Sequence, residues 1–133
     1  MSSRATRAYV SAYDRASPHH SRLYRFEKRR YVADFNGALG ERLLSSATWR
    51  TDAPEIGVMS DAQISQDRRE TSIMYASQLC GWANLRCDAT LDDGSILTQV
   101  FRVEVREASG YFDDPPIQTG PVSVTVTAPA VSY

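Results

Sequence analysis

The segment from Trp82 to Arg106 constrains the fold more than any other part of the chain. Ala83, Leu85, Cys87, Ala89 and Leu91 alternate with Asn84, Arg86, Asp88 and Thr90. Further on, Phe101, Val103 and Val105 alternate with Arg102, Glu104 and Arg106. A period of two sends the two sets to opposite faces of an extended strand, whereas a helix would scatter both around its axis. Asp92-Asp93-Gly94-Ser95 lies between the runs. Asp-Gly flanked by alternating segments is the strongest short-range hairpin signal. A lone hairpin is only marginally stable in water, so the rest of the chain must cover its apolar face.

The preceding segments repeat the device. Tyr31-Val32-Ala33-Asp34-Phe35 followed by Asn36-Gly37 reads as a strand and its turn. Leu43 to Thr51 places Leu43, Ala47 and Trp49 on one face, and Ile56 to Ile64 places Ile56, Val58, Ala62 and Ile64 on one. Thr71 to Ala76 offers Ile73 and Tyr75, and Asp52-Ala53-Pro54 supplies a break between strands. Short strands at this spacing predict an all-β fold: an immunoglobulin-like antiparallel β-sandwich over residues 31–108 with extended arms at both ends.

The flanks differ in composition. Residues 1–30 hold eight basic and two acidic residues, although the 133-residue chain has a formal net charge of −1. Tyr9, Tyr13, Tyr24 and Phe26 are interleaved with the charges, and Ser17-Pro18-His19-His20-Ser21 interrupts them. The stretch reads as a basic aromatic N-terminal arm. A basic amphipathic helix over 20–31, with Leu23 and Phe26 on one side, competes locally, as does a short helical turn from Gly40 to Leu44. Residues 109–133 contain Gly110, Pro115-Pro116, Gly120-Pro121 and Pro129 and read as a Pro-rich C-terminal arm. Within it, Val122-Ser123-Val124-Thr125-Val126-Thr127 alternates like a strand, available to its own sheet or to a neighbour's exposed edge.

Partner-binding candidates follow from this. In the first arm they are Tyr13, Arg22, Tyr24, Arg25, Phe26, Lys28, Arg29 and Arg30, since aromatic and arginine side chains dominate interface energetics. In the second they are Val122, Val124 and Val126. Segregated charge of this kind suits an acidic partner, while the acidic excess of the remaining chain argues against nucleic acid.

Chemistry is sparse. There is no GxSxG, phosphate-binding glycine loop or HExxH, and the two histidines, His19 and His20, are adjacent. No catalytic residue, cofactor, metal site or small-molecule substrate is expected, and the chain is expected not to be an enzyme. Cys80 and Cys87 form no disulfide framework, and with His19 and His20 they match no zinc spacing. Asp92-Asp93 reads as turn chemistry and Asp113-Asp114 as a solvated loop; calcium, the alternative, would need six or more oxygens brought together. No apolar run approaches the roughly 20 residues that span a bilayer, and there is no secretory h-region. The expectation is a protein made in a reducing cytoplasm, with no membrane partner.

The segment from Thr48-Trp49 to Glu107 resembles the small immunoglobulin-like virion proteins of tailed bacteriophages, in particular the fibre–tail adaptor type. The resemblance rests on Trp49, Thr71-Ser72-Ile73-Met74-Tyr75, the turn Gln78-Leu79-Cys80-Gly81, the strand from Asn84 to Thr90, the hairpin turn and Gln99-Val100-Phe101-Arg102-Val103-Glu104-Val105. Cys80-Gly81-Trp82 departs from the Gly-Gly turn of that pattern. The resemblance implies a structural virion protein that joins tail fibres to the tail tube or connector, held through its flanking arms in a symmetric ring of copies. A capsid decoration or head-fibre protein is the related alternative. A carbohydrate or host-surface binding module, with Trp82, Tyr111 and Phe112 as stacking residues, is the alternative of another class.

Overall fold

The computed structural model describes residues 4–9, 18–107 and 118–128. In chain order its elements are β1 (Arg4–Tyr9), β2 (His19–Tyr24), β3 (Lys28–Asp34), α1 (Asn36–Leu39), β4 (Leu44–Thr51), β5 (Gly57–Ile64), β6 (Glu70–Ser77), β7 (Gly81–Leu91), β8 (Ile96–Arg106) and β9 (Ser123–Thr127). They form two packed sheets, one of order β1-β3-β6-β5 and one of order β2-β8-β7-β4-β9. The alternating pair at the centre of the sequence argument, β7 and β8, is in register from Gly81↔Val105 to Thr90↔Ile96. Gly94 closes its turn at φ 88, a conformation that favours glycine.

The chain is an all-β sandwich of immunoglobulin-like topology. β1, β3, β6 and β5 occupy the positions of the four-stranded sheet of that fold, and β4, β7 and β8 those of the three-stranded sheet, extended by β2 and β9. Trp49 sits fully buried on β4 directly opposite Cys87 of β7, the place where immunoglobulin domains pack a tryptophan against a disulfide. Here Cys87 is a free, buried thiol. The Trp49 ring stacks on Phe101 at 5.9 Å, and its Nε1 donates to Thr71 Oγ1 at 3.2 Å, joining the two sheets. Tyr31 packs edge-on against both Phe101 and Tyr75.

Several expectations need correction. The sandwich is not wholly antiparallel: β1 pairs parallel with β3 and β2 parallel with β8. Parallel neighbours need long connections, and both edge strands have them because they precede the core strands in the chain. Residues 4–9 and 19–30 are also not an arm outside the sandwich, nor is 20–31 a helix. His19, Ser21 and Leu23 turn toward the interior while His20, Arg22 and Tyr24 turn out, a period of two. Leu23 and Ala8 are buried, and Arg7 reaches Asp34 at 3.1 Å and Glu70 at 2.5 Å. The helical turn is α1, earlier than expected, ended by Gly40 at φ 62.

Two strand faces shift through bulges. The β4–β7 register slips between Leu44 and Ser46, so Leu44, not Leu43, is buried. In β5 the irregularity between Ser60 and Gln63 centres on Asp61 at φ 51. Before it Gly57 and Met59 face inward, and Val58 outward; after it Ala62 and Ile64 pack against the core. Gly57 is required there, since a Cβ would lie 2.3 Å from Cζ of Tyr75. β9 joins its own sheet along β4, from Ser46↔Thr127 to Arg50↔Ser123.

Candidate interaction surfaces

The outward set of the five-stranded sheet brings together residues distant in sequence. Cross-strand partners share a face, so Arg22, Glu104 and Trp82 form one row across β2, β8 and β7, and His20, Arg102 and Asn84 form the next. Arg86 and Arg50 are partners further along β7 and β4, and Arg106 lies beside Tyr24. This face carries Arg22, Arg50, Arg86, Arg102 and Arg106 against two carboxylates, Asp88 and Glu104. Both carboxylates are engaged within the face. Glu104 accepts from Arg106 Nε at 2.7 Å and Arg22 Nε at 3.4 Å, and these hold its carboxyl below the usual range, Arg106 contributing most. Asp88 accepts from Arg86 Nε at 3.0 Å and Thr98 Oγ1 at 2.7 Å.

Trp82 stands 52% exposed on this face, with the Arg102 guanidinium 4.8 Å from its ring centre. Two open concavities flank that pair. One, of about 330 Å³, is lined by His20, Ser21, Arg22, Trp82 and Glu104. The other, of about 520 Å³, lies among Pro18, Arg50, Asp52, Asn84, Arg86 and Val100, where Asp52 fixes Asn84 through its backbone N at 2.9 Å and its Nδ2 at 2.8 Å.

A second surface is the turn joining β2 to β3. Glu27 N donates to Tyr24 O at 3.2 Å, and Phe26 takes φ 68 inside the turn. For a bulky residue the left-handed region is an outlier that costs about 1–2 kcal/mol. The buried Ser77 imposes it. Its carbonyl accepts from Phe26 N at 3.1 Å, its Oγ donates to Tyr24 O at 2.8 Å, and Glu27 N donates to that Oγ at 3.2 Å. Arg25 donates to Gln78 O at 2.7 Å, pairs with Glu107 at 3.3 Å and stacks 4.8 Å over the Phe26 ring. Phe26 is nevertheless 43% exposed, beside a concavity of about 350 Å³ that includes Lys28, Val58, Met74 and Ala76 on the outer face of the four-stranded sheet.

The candidates from the sequence are thus dispersed. Arg22 and Tyr24 lie on the five-stranded face, Arg25 and Phe26 in the turn, and Lys28 and Arg30 on the four-stranded face. Arg30 is bound to Asp61 at 2.5 Å. Arg29 points between the sheets, where it donates to Ser21 Oγ and Arg22 O. Val124 and Val126 pack against the core and only Val122 is well exposed. Tyr13, Tyr111 and Phe112 lie outside the described residues. Arg50, Arg86, Arg102 and Arg106 were missed, although three of them are the outward residues of the alternating runs. Among the described residues no group of three His, Cys, Asp or Glu is placed to hold a metal ion. Among them, too, no helix is long and apolar enough to cross a membrane.

No protein-family model and no curated protein matches this chain. Among solved structures it is similar to the cysteine protease inhibitor EhICP2 from Entamoeba histolytica, at 9% identity and TM-score 0.42, over 77% of this chain and 97% of that one. It is also similar to amebosin, at 11% identity and TM-score 0.38, over 79% of this chain and 100% of that one.

Proposed function

We propose that this chain is a non-catalytic structural module of a larger assembly and docks to its neighbours through the turn Tyr24–Glu27. The observation that carries the reading is Phe26, held in a left-handed conformation by Ser77 and half exposed to water. Glycine would adopt that conformation without strain. An aromatic ring there gains the fold little, so its use lies outside the chain. Strained residues over-determined by their surroundings cluster at ligand clamps and switches.

The assembly is a phage virion, the chain joining tail fibres to the tail tube or connector in a symmetric ring. The resemblance around Trp49, Tyr75 and the β7–β8 hairpin supports this, as does a surface set that suits protein contacts. The partners are then other virion proteins rather than nucleic acid or membrane, and the chain is made in the host cytoplasm. Quantitative mass spectrometry of purified particles tests it. A tail part is expected in multiples of six or twelve, and a capsid decoration protein in hundreds. Absence from intact particles overturns the virion reading. Phe26→Gly is expected to fold normally and fail to be incorporated, and normal incorporation overturns the docking role.

A further inference from the structure

We infer that the outer face of the five-stranded sheet, from Trp82 to Arg50, is a binding site for an acidic oligosaccharide. The inference goes beyond the docking role of the Phe26 turn and uses different residues.

Three features define the ligand. The first is a flat apolar platform. Arg102 covers part of the Trp82 indole and orients it, and the remaining exposed surface matches the C–H face of a sugar ring. The second is charge. Arg102 has no carboxylate partner among the described residues, and Arg50 and Arg86 share a single carboxylate, Asp88, with Thr98. Planar guanidinium groups recognise carboxylate and sulfate through paired hydrogen bonds. The third is the interspersed acceptors. Glu104 and Asp88 on the face and Asp52 at its rim already accept from Arg106, Arg86 and Asn84, and the second lone pairs of their oxygens suit the hydroxyl groups that a sugar supplies.

The same features disfavour the competing ligand classes. An extended peptide binds a sheet by pairing with free backbone groups at an edge. Here β8, β7 and β4 each have neighbours on both sides, so this face offers none. Single-stranded DNA also brings rings and negative charge, but its deoxyribose-phosphate backbone has no hydroxyl group to donate to Glu104, Asp52 and Asp88, so it matches only the cationic part of the face. A linked, hydroxylated, anionic chain satisfies all three features. The run from Trp82 to Arg86 covers about 14 Å along β7, enough for several sugar rings to lie along it.

The test uses the full chain on an array of acidic and neutral glycans, followed by calorimetric titration with tetragalacturonate and a neutral tetrasaccharide. Acidic glycans are expected to bind about tenfold or more tightly than neutral ones, with affinity falling as salt rises. Trp82→Ala and Arg102→Ala are each expected to weaken binding about tenfold while the melting temperature stays unchanged, since both side chains are exposed. Three outcomes would overturn the inference: no acidic glycan bound on the array, undiminished affinity in Trp82→Ala, or an oligothymidylate bound more tightly than any glycan. None of these outcomes bears on Phe26, so failure here is distinguishable from failure of the docking role.

Discussion

Tyr75 and Trp49 share the core but differ in how their polar atoms are treated. Trp49 Nε1 reaches Thr71, whereas the Tyr75 hydroxyl is buried with no hydrogen-bond partner among the described residues. Leaving a buried polar group unpaired costs about 1–3 kcal/mol, so Tyr75→Phe is expected to stabilise the fold by about 1 kcal/mol in urea denaturation. Trp49→Ala removes a fully buried ring and its cross-sheet bond and is expected to destabilise by about 3–5 kcal/mol. The phenols also set an alkaline limit. Burial raises the pKa of Tyr75, and burial likewise raises that of Tyr31 against the opposing effect of its Ser21 hydrogen bond. A raised folded-state value favours the protonated form, so the stability it contributes is complete below the ordinary phenol range, near pH 10, and is lost as pH rises above it. Absorbance at 295 nm should therefore show these two tyrosines ionising together with unfolding, and Tyr75→Phe should make the alkaline loss of stability less steep.

At the scale of elements, the first two strands are structural. β1 and β2 bring Ala8, Leu23 and the Arg7 contacts with Asp34 and Glu70. Deleting residues 1–24 exposes the core beside Phe101 and removes the cation from the buried Asp34. Loss of a buried leucine alone costs about 2–5 kcal/mol, against a total stability of about 5–15 kcal/mol for a domain. The truncated chain is expected to lose its cooperative urea transition, and retention of a sharp transition near the full-length midpoint would show the strands to be dispensable. β7 and β8 were legible because five and three apolar residues alternate without interruption and a glycine turn fixes their register. β2 was not, because its only large apolar inward residue is Leu23; His19 and Ser21 fill the other inward positions. Sequence alternation cannot reveal a strand whose buried face is made of hydrogen bonds, such as Ser21 Oγ with the Tyr31 hydroxyl at 2.9 Å. The bulges at Leu44/Ser46 and Ser60/Gln63 were hidden for a related reason. An extra residue reverses the inward parity halfway along a strand, so a single period fits only one half. The basic face was half visible, since Arg86, Arg102 and Arg106 sit at outward positions, but its joining with Arg22 depends on the parallel pairing of β2 with β8.

At the scale of the whole molecule, the Phe26 turn and Trp82 occupy the same end of the sandwich but look out over opposite sheets. The segment Ser77–Gly81 connects them, because Ser77 latches the turn and Gly81 begins the strand that carries Trp82. Whether the two surfaces act independently depends on how that segment is held. Gln78 N and Leu79 N both donate to Ile56 O, at 2.9 and 3.2 Å, and Gly81 is paired with Val105. Neither anchor involves the turn, and the bond that does, from Arg25 Nε to Gln78 O at 2.7 Å, does not use the Phe26 side chain. Relaxing Phe26 should therefore leave Trp82 in place. Phe26→Gly is expected to abolish incorporation into the assembly with glycan affinity unchanged, and Trp82→Ala to do the reverse. Effects of distant sites add to within about 0.5 kcal/mol when no partner is shared, so the double variant should show both losses and no further change in melting temperature. Calorimetry with tetragalacturonate on the four proteins, alongside an incorporation assay, measures this. A drop in glycan affinity in Phe26→Gly would mean that Ser77–Gly81 transmits movement, and the two surfaces would then be one coupled site.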